Sequence, residues 1–496
     1  MRRSLLLFTV LVPLAACSTL SNTARSYMTA SNGLQVDDDR MRTLLHRGMA
    51  DSALRALHNR KSTLSPDDRL LRLLYQGSVA RYAGRSREAG ALFDQAYAIS
   101  EDRFTKSVSR TAASLLTNDL ALSYTAGQNE RLLVHYNALL AWSASGDTDA
   151  TAVEARRLVS LLARLGEPSD DERAMRAAMH TIASAAFEQA GDWNDADVAR
   201  RNAVRLGAPL DSTWTPPGDF AGDLVVVIER GNVAHKVAVG LTVPIFSGDN
   251  LDRRSGSFAA ERLLGDIGAL RNGGVWWDDT PSWRFTDTGY APWRGNRASY
   301  LLDMSWPVLR RDRAFTRGSV QVVAGSARVE SMLNASLSDA LAADYRRDRG
   351  AIMTRTVARA VSKYLAARAM EAAVAAAAKQ DDAGDGKKKK KNDDAAKAAG
   401  VVARIFTSAA ATALERADTR AWALLPGTVS VVRMRIPAGT HELLVDAAGT
   451  RQLSLPSVVV RAGRTTVVSA RLWNESGQGV RSMVERTSAH EATPQR

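Results

Sequence analysis

Residues 77–96 read GSVARYAGRSREAGALFDQA, and their spacing decides the fold of the N-terminal half. Gly77 and Ala89 are small enough to let two antiparallel helices approach closely. Gly84 stops the first helix, and Phe93 and Ala96 face whatever packs next. The pattern returns twice. Residues 138–158, ALLAWSASGDTDATAVEARRL, place Trp142, Gly146 and Ala155, and residues 185–204, AAFEQAGDWNDADVARRNAV, place Phe187, Gly191, Ala196 and Ala203. A glycine turn followed by alanine arises by chance in any Ala-rich helix. Three occurrences in one helical half favour helix-pair repeats. A single pair cannot bury its apolar face, so roughly six to ten helices are expected.

Outward from that stretch, residues 40–210 are rich in Ala, Leu and Arg, with apolar residues at helical spacing and almost no proline. The glycine and alanine positions resemble the tetratricopeptide repeat, which implies a helical solenoid. Pro216-Pro217-Gly218 ends it, and the character changes over residues 219–425. Asp223–Glu229 is a strand by its β-branched run, and Gly231-Asn232 is read as the turn to a hairpin partner over His235–Pro244. Residues 247–296 form a Gly- and Trp-rich insertion. Further strands are expected over Tyr300–Val308 and Ser319–Val329, then a helix over Ser336–Ala378 with a break at Gly350. Residues 379–399, KQDDAGDGKKKKKNDDAAKAA, are a low-complexity loop whose lysines are nearly cancelled by aspartates. Helix resumes from about Val401 to Asp418. Residues 428–473 alternate apolar and polar between turn signals and read as a small antiparallel β unit; residues 474–496 read as a disordered tail. The fold class is therefore multidomain, with an N-terminal tetratricopeptide-like solenoid followed by a mixed α/β region and a small antiparallel β unit.

The first residues, MRRSLLLFTVLVPLAACSTL, give the compartment. Two arginines precede an apolar run that is too short to span a membrane and ends in small residues before Cys17. Leu14-Ala15-Ala16-Cys17 resembles the lipobox of bacterial lipoproteins. That resemblance implies a signal peptide over residues 1–16, lipidation of Cys17 and, because Ser18 rather than aspartate follows, delivery to the outer membrane. Residues 17–39 then act as a tether. Cys17 is the single cysteine, so no disulfide forms within the chain and stability must come from packing.

The net charge is +13, and removal of Arg2 and Arg3 with the signal lowers it by two. For an exported chain this favours anionic headgroups, envelope polymers or an acidic partner over nucleic acid, with plain solubility as the competing explanation. Catalytic motifs are missing: the sequence holds no G-x-S-x-G, no P-loop, no G-x-G-x-x-G and no S-x-x-K. The seven histidines are scattered, and without a usable thiol no metal site is expected. No cofactor and no enzymatic activity are expected either. His135, beside Glu154, Arg156 and Arg157, reads as a packing residue rather than a catalyst. Arg355, Arg359 and Lys363 recur every four residues and read as a solvated helix face.

Leu132–Leu139 (LLVHYNAL), followed by Val153–Arg157 (VEARR), resembles a motif of a family of bacterial outer-membrane lipoproteins that carry tetratricopeptide repeats. Residues 224–244, 355–369 and 418–441 match the same layout. The Trp-rich insertion and the lysine-rich loop depart from it. The resemblance implies no catalytic residues. It implies a link with other envelope lipoproteins, such as those that activate peptidoglycan synthases.

The expected function is therefore a lipid-anchored scaffold facing the periplasm, gripping a protein partner in the groove of its solenoid. Tyr136, Trp142, Glu154, Arg156 and Arg157 are the candidate contacts, since aromatic and arginine side chains dominate binding energy. The alternative is a glycan- or peptidoglycan-contacting surface on Trp276, Trp277, Trp283 and Trp293, weighed against a core role for the same rings.

Overall fold

The computed structural model describes residues 40–58, 68–106, 123–209, 214–246, 276–277, 298–310, 318–380, 417–447 and 453–473. Cys17, the lysine run, Trp283 and Trp293, and most of the helix expected from Val401 lie outside the described residues.

Helix α1 spans 40–46, followed by α2 (Ala50–His58), α3 (Arg69–Tyr82), α4 (Ser86–Lys106), α5 (Gln128–Ala144), α6 (Thr148–Arg164), α7 (Asp170–Ala190) and α8 (Trp193–Arg205). From α3 onward each helix packs on the next, and α5 also touches α3 and α7, as stacked antiparallel pairs do. The close approach read at Gly77 is present. A Cβ there would stand 2.8 Å from the Phe93 ring, too near for any larger residue without movement. Gly84, Gly146 and Gly191 all adopt positive φ, the left-handed conformation that closes a helix and that glycine tolerates best. After the second and third of these glycines comes an aspartate that starts the next helix. Asp147 accepts a hydrogen bond from the Ala150 amide at 2.9 Å, and Asp192 accepts one from Asp195. Ala89, Phe93, Ala96, Ala155 and Ala196 are all buried in the shared core.

The second half is built from β1 (Ala221–Arg230), β2 (His235–Phe246), β3 (Trp276–Trp277), β4 (Ala298–Arg310), β5 (Val320–Ala324), β6 (Ala327–Glu330), β7 (Leu333–Ser336), α9 (Leu337–Gln380), β8 (Thr428–Pro437), β9 (Gly439–Ala447), β10 (Leu453–Val460) and β11 (Thr465–Leu472). Two four-stranded sheets, in the orders β11-β1-β8-β7 and β10-β9-β5-β6, face each other. Leu224, Val226 and Ile228 of β1 join Val432 and Met434 of β8 against Val322, Leu443, Val445 and Leu455 of the opposite sheet. Val225 and Val227 point the other way and join the helical core with Val429, Val431 and Val467. Strand β1 is thus buried on both faces, which is why its apolar residues run continuously instead of alternating. The result is three layers: helices, sheet, sheet.

Four readings of the sequence are corrected. Strand β1 does not form a hairpin with β2. Its edges are taken by β8, antiparallel, and β11, parallel. The residues after it turn away because the Val233 amide donates to Leu425 and the Ala234 amide to Ser338, and β2 pairs with β4 in a third sheet that also holds β3. Residues 428–473 are not a separate unit: β8 and β11 flank β1, while β9 and β10 complete the other sheet. Helix α9 runs through Gly350 unbroken, since the backbone hydrogen bonds continue there at no steric cost. The basic stripe on α9 is not a solvated face, because Arg359 is 2% exposed.

Candidate functional site

The helices that start each pair, α3, α5 and α7, lie against the first sheet, and buried charges fasten them to it. Arg81 of α3 places Nη2 at 2.7 Å from both carboxylate oxygens of Glu229 on β1, and the Tyr136 hydroxyl of α5 donates to the same carboxylate at 2.7 Å. Burial alone lowers the pKa of Arg81, but the Glu229 charge reverses this and holds it above the usual arginine value. Farther along, Arg433 of β8 donates to Glu188 of α7 at 2.8 Å and to Asp223 of β1 at 2.6 Å, and Thr465 of β11 adds a bond to Glu188. The segment after residue 416 closes the same face. The Trp422 indole N–H donates to Ser78 at 2.8 Å with its ring near Phe93, and Arg420 reaches Asp68 at 2.6 Å.

A third tie joins α5, α7 and α9. The Asn129 side-chain amide donates to Glu172 and to the Ala340 carbonyl, both at 2.8 Å, while Arg347 bonds Glu172 at 3.0 Å. Burial pushes Asp344 up to about 7 although Arg347 opposes it. Burial acts the same way on Glu172, but its hydrogen bonds from Arg347, Asn129 and Ser169 win and hold it down at about 2.

This arrangement relocates the residues expected to grip a partner. Tyr136 is fully buried and spent on Glu229, so it is not part of an open groove. Glu154 is buried too, 2.8 Å from the Nδ1 of His135, whose ring lies tilted against that of Tyr97 with centroids 4.7 Å apart. Trp142 packs over Gly90 of α4, where a Cβ would collide with the indole, and serves helix contact. The groove reading fails for Tyr136 because the chain's own sheet occupies the face it points to, and for Trp142 and Glu154 because contacts between neighbouring helices take them up. Arg156 and Arg157 remain accessible, with side chains 51% and 38% exposed. Arg156 ties α6 to Asp192 and Asp195 of the α8 N-terminus. Arg157 bonds Asp94 of α4 at 3.0 Å and also Glu154, and lies over the Tyr97 ring. Burial, reinforced by the Glu154 charge, raises the pKa of Asp94. Val153, beside them on α6, is 43% exposed.

Trp276 and Trp277 form β3, paired in parallel with Leu309 and Arg310 of β4. Among the described residues no group of three or more His, Cys, Asp or Glu side chains is placed to hold a metal ion, and no helix is long and apolar enough to cross a membrane.

Sequence reasoning missed the buried ties. Asp223 and Glu229 do carry a local signal, two acids bracketing an otherwise apolar strand. Glu188, Arg433 and Asn129 carry none, because their partners lie more than forty residues away. No family model, no curated protein and no solved structure matches this chain.

Proposed function

We propose that this chain is a lipid-anchored envelope scaffold. Cys17 holds it at the outer membrane, and tetratricopeptide-like helix pairs present an outward face to a protein partner. The observation that carries the reading is the α6 surface. Val153, Arg156 and Arg157 stand three and four residues apart on one helix face and stay exposed, while the inner face of the repeats is closed by the sheet. Arginine is among the residue types enriched at interaction hot spots, and Val153 adds exposed apolar area beside the two. The buried ion pairs support the same reading, since they fix the helices and the sandwich into one rigid support for that face.

The test is capture of the partner after crosslinking in cells, using Val153→Glu combined with Arg156→Gln. Arg157 is left in place because it balances the buried Glu154. Capture should fall about tenfold or more. The melting temperature should move little, since the Arg156 side chain is half exposed and its ion pairs with Asp192 and Asp195 lie at the surface. Undiminished capture by the double variant would refute the assignment of this face.

A further inference from the structure

A cavity of about 280 Å³ opens between the C-terminal ends of α6 and α8 and the middle of α7, away from the face assigned above. Its size lies near the lower end of small-molecule pockets, which run from ~300 to 1,000 Å³. Leu162, Leu165 and Leu206 supply apolar wall; Arg176, His180 and Arg205 supply the polar part, with Glu167 at the rim.

The polar groups have unused capacity. His180 is 5% exposed, and its Nδ1 has no hydrogen-bond partner among the described residues. Arg176 is also buried. It donates to the Gly166 carbonyl at 2.5 Å and reaches Glu172 only at 3.4 Å, and its Nε is unpartnered among the described residues. Buried polar atoms are nearly always satisfied, and both of these unpartnered atoms belong to side chains that line the same cavity. Arg205 pairs with Glu167 at 3.4 Å, but both side chains are mostly exposed, so this pair is weak and displaceable. The field in the cavity is positive: burial, then Arg205, then Arg176 hold the His180 imidazole down at about 4. A charge-assisted bond to an anion satisfies the arginines and, through the Nδ1–H tautomer, the imidazole.

We propose that this cavity binds a small organic carboxylate, with its anionic end on Arg176, Arg205 and His180 and its apolar body against Leu162, Leu165 and Leu206. The apolar wall selects against bare inorganic anions, and the arginines select against neutral isosteres.

The test uses the full-length protein with ring-labelled histidine, titrated with benzoate, benzyl alcohol and inorganic phosphate. Benzoate should shift the His180 ring resonances saturably below about 10 mM and raise the pKa of that imidazole. Benzyl alcohol and phosphate should bind at least about tenfold more weakly. Arg205→Ala, at an exposed position that leaves folding intact, should weaken benzoate by about tenfold. No saturable His180 shift with benzoate overturns the proposal. So does equal binding of benzyl alcohol, which would mark a merely apolar cleft, or tighter binding of phosphate, which would mark an inorganic anion site. Unchanged affinity in Arg205→Ala overturns it as well.

Discussion

Replacing Arg81 with methionine should loosen the helices from the sheet. The Arg81 and Glu229 side chains are 3% and 1% exposed, and the guanidinium contacts both carboxylate oxygens. Methionine fills much of the volume but leaves Glu229 charged, with the Tyr136 hydroxyl as its remaining direct donor among the described residues. Breaking a buried pair from one side costs about 3–5 kcal/mol, because the surviving charge is stranded. Arg471 decides what happens next. It sits opposite Glu229 on β11, is 2% exposed, and none of its guanidinium nitrogens has a hydrogen-bond partner among the described residues. It rests instead on aromatic rings, 4.0 Å from the Trp473 centroid and 5.7 Å from that of Tyr82. Burial pulls its pKa below the usual arginine value despite Tyr82 and Glu229. The cluster is thus an Arg–Glu–Arg triad with a surplus positive charge. Such triads are costly to desolvate, so the triple variant Arg81→Met, Glu229→Leu, Arg471→Met should recover most of that loss, short of the about 1–3 kcal/mol for the Tyr136 hydroxyl left without its acceptor. Urea titration followed by tryptophan fluorescence reads this directly, since Trp422 and Trp473 lie in the helix–sheet core. A loss below about 1 kcal/mol for Arg81→Met, or a triple variant no better than that single change, would refute the reasoning.

Two further outcomes follow from packing and charge. Gly77→Ala should cost about 1–3 kcal/mol, because the new methyl presses on a Phe93 ring that is wholly buried; an unchanged melt would show that the α3–α4 crossing is looser than described. His180 is held near 4 in the folded state against about 6.5 when unfolded, so the unfolded chain binds the extra proton first. Its contribution, about 3 kcal/mol, is fully present above pH ~6.5 and is lost progressively down to pH ~4. His180→Gln should flatten that part of the stability profile, and an identical acid limb in the variant would show the imidazole is not the group responsible.

What the sequence made legible was local. Gly77 opposite Phe93, and Gly84, Gly146 and Gly191 at the pair turns, are spacing rules that survive any tertiary context. The β-branched run of β1 marked a strand but not its neighbours. Both neighbours come from about two hundred residues or more further along, and no turn residue encodes pairing at that distance. The hairpin read at Gly231-Asn232 was plausible chemistry, outcompeted by bonds to Leu425 and Ser338. Tyr136 illustrates the limit at the candidate site. An aromatic on a helix face looks the same whether it meets a partner or the chain's own sheet, and only the position of Glu229 distinguishes them. Arg156 kept its exposure because its partners, Asp192 and Asp195, lie near the surface at the start of α8, and Arg157 because it reaches outward to the half-exposed Asp94.

The most direct measurement is photo-crosslinking in living cells from a photoreactive residue placed at Val153, compared with one at Val459 on β10. Both positions are exposed, 43% and 48%, so accessibility does not separate them. If the α6 face carries the scaffold function, position 153 gives a reproducible adduct with an envelope protein and position 459 gives none. Adducts from position 459 with none from position 153 would place the partner on the sandwich and contradict it.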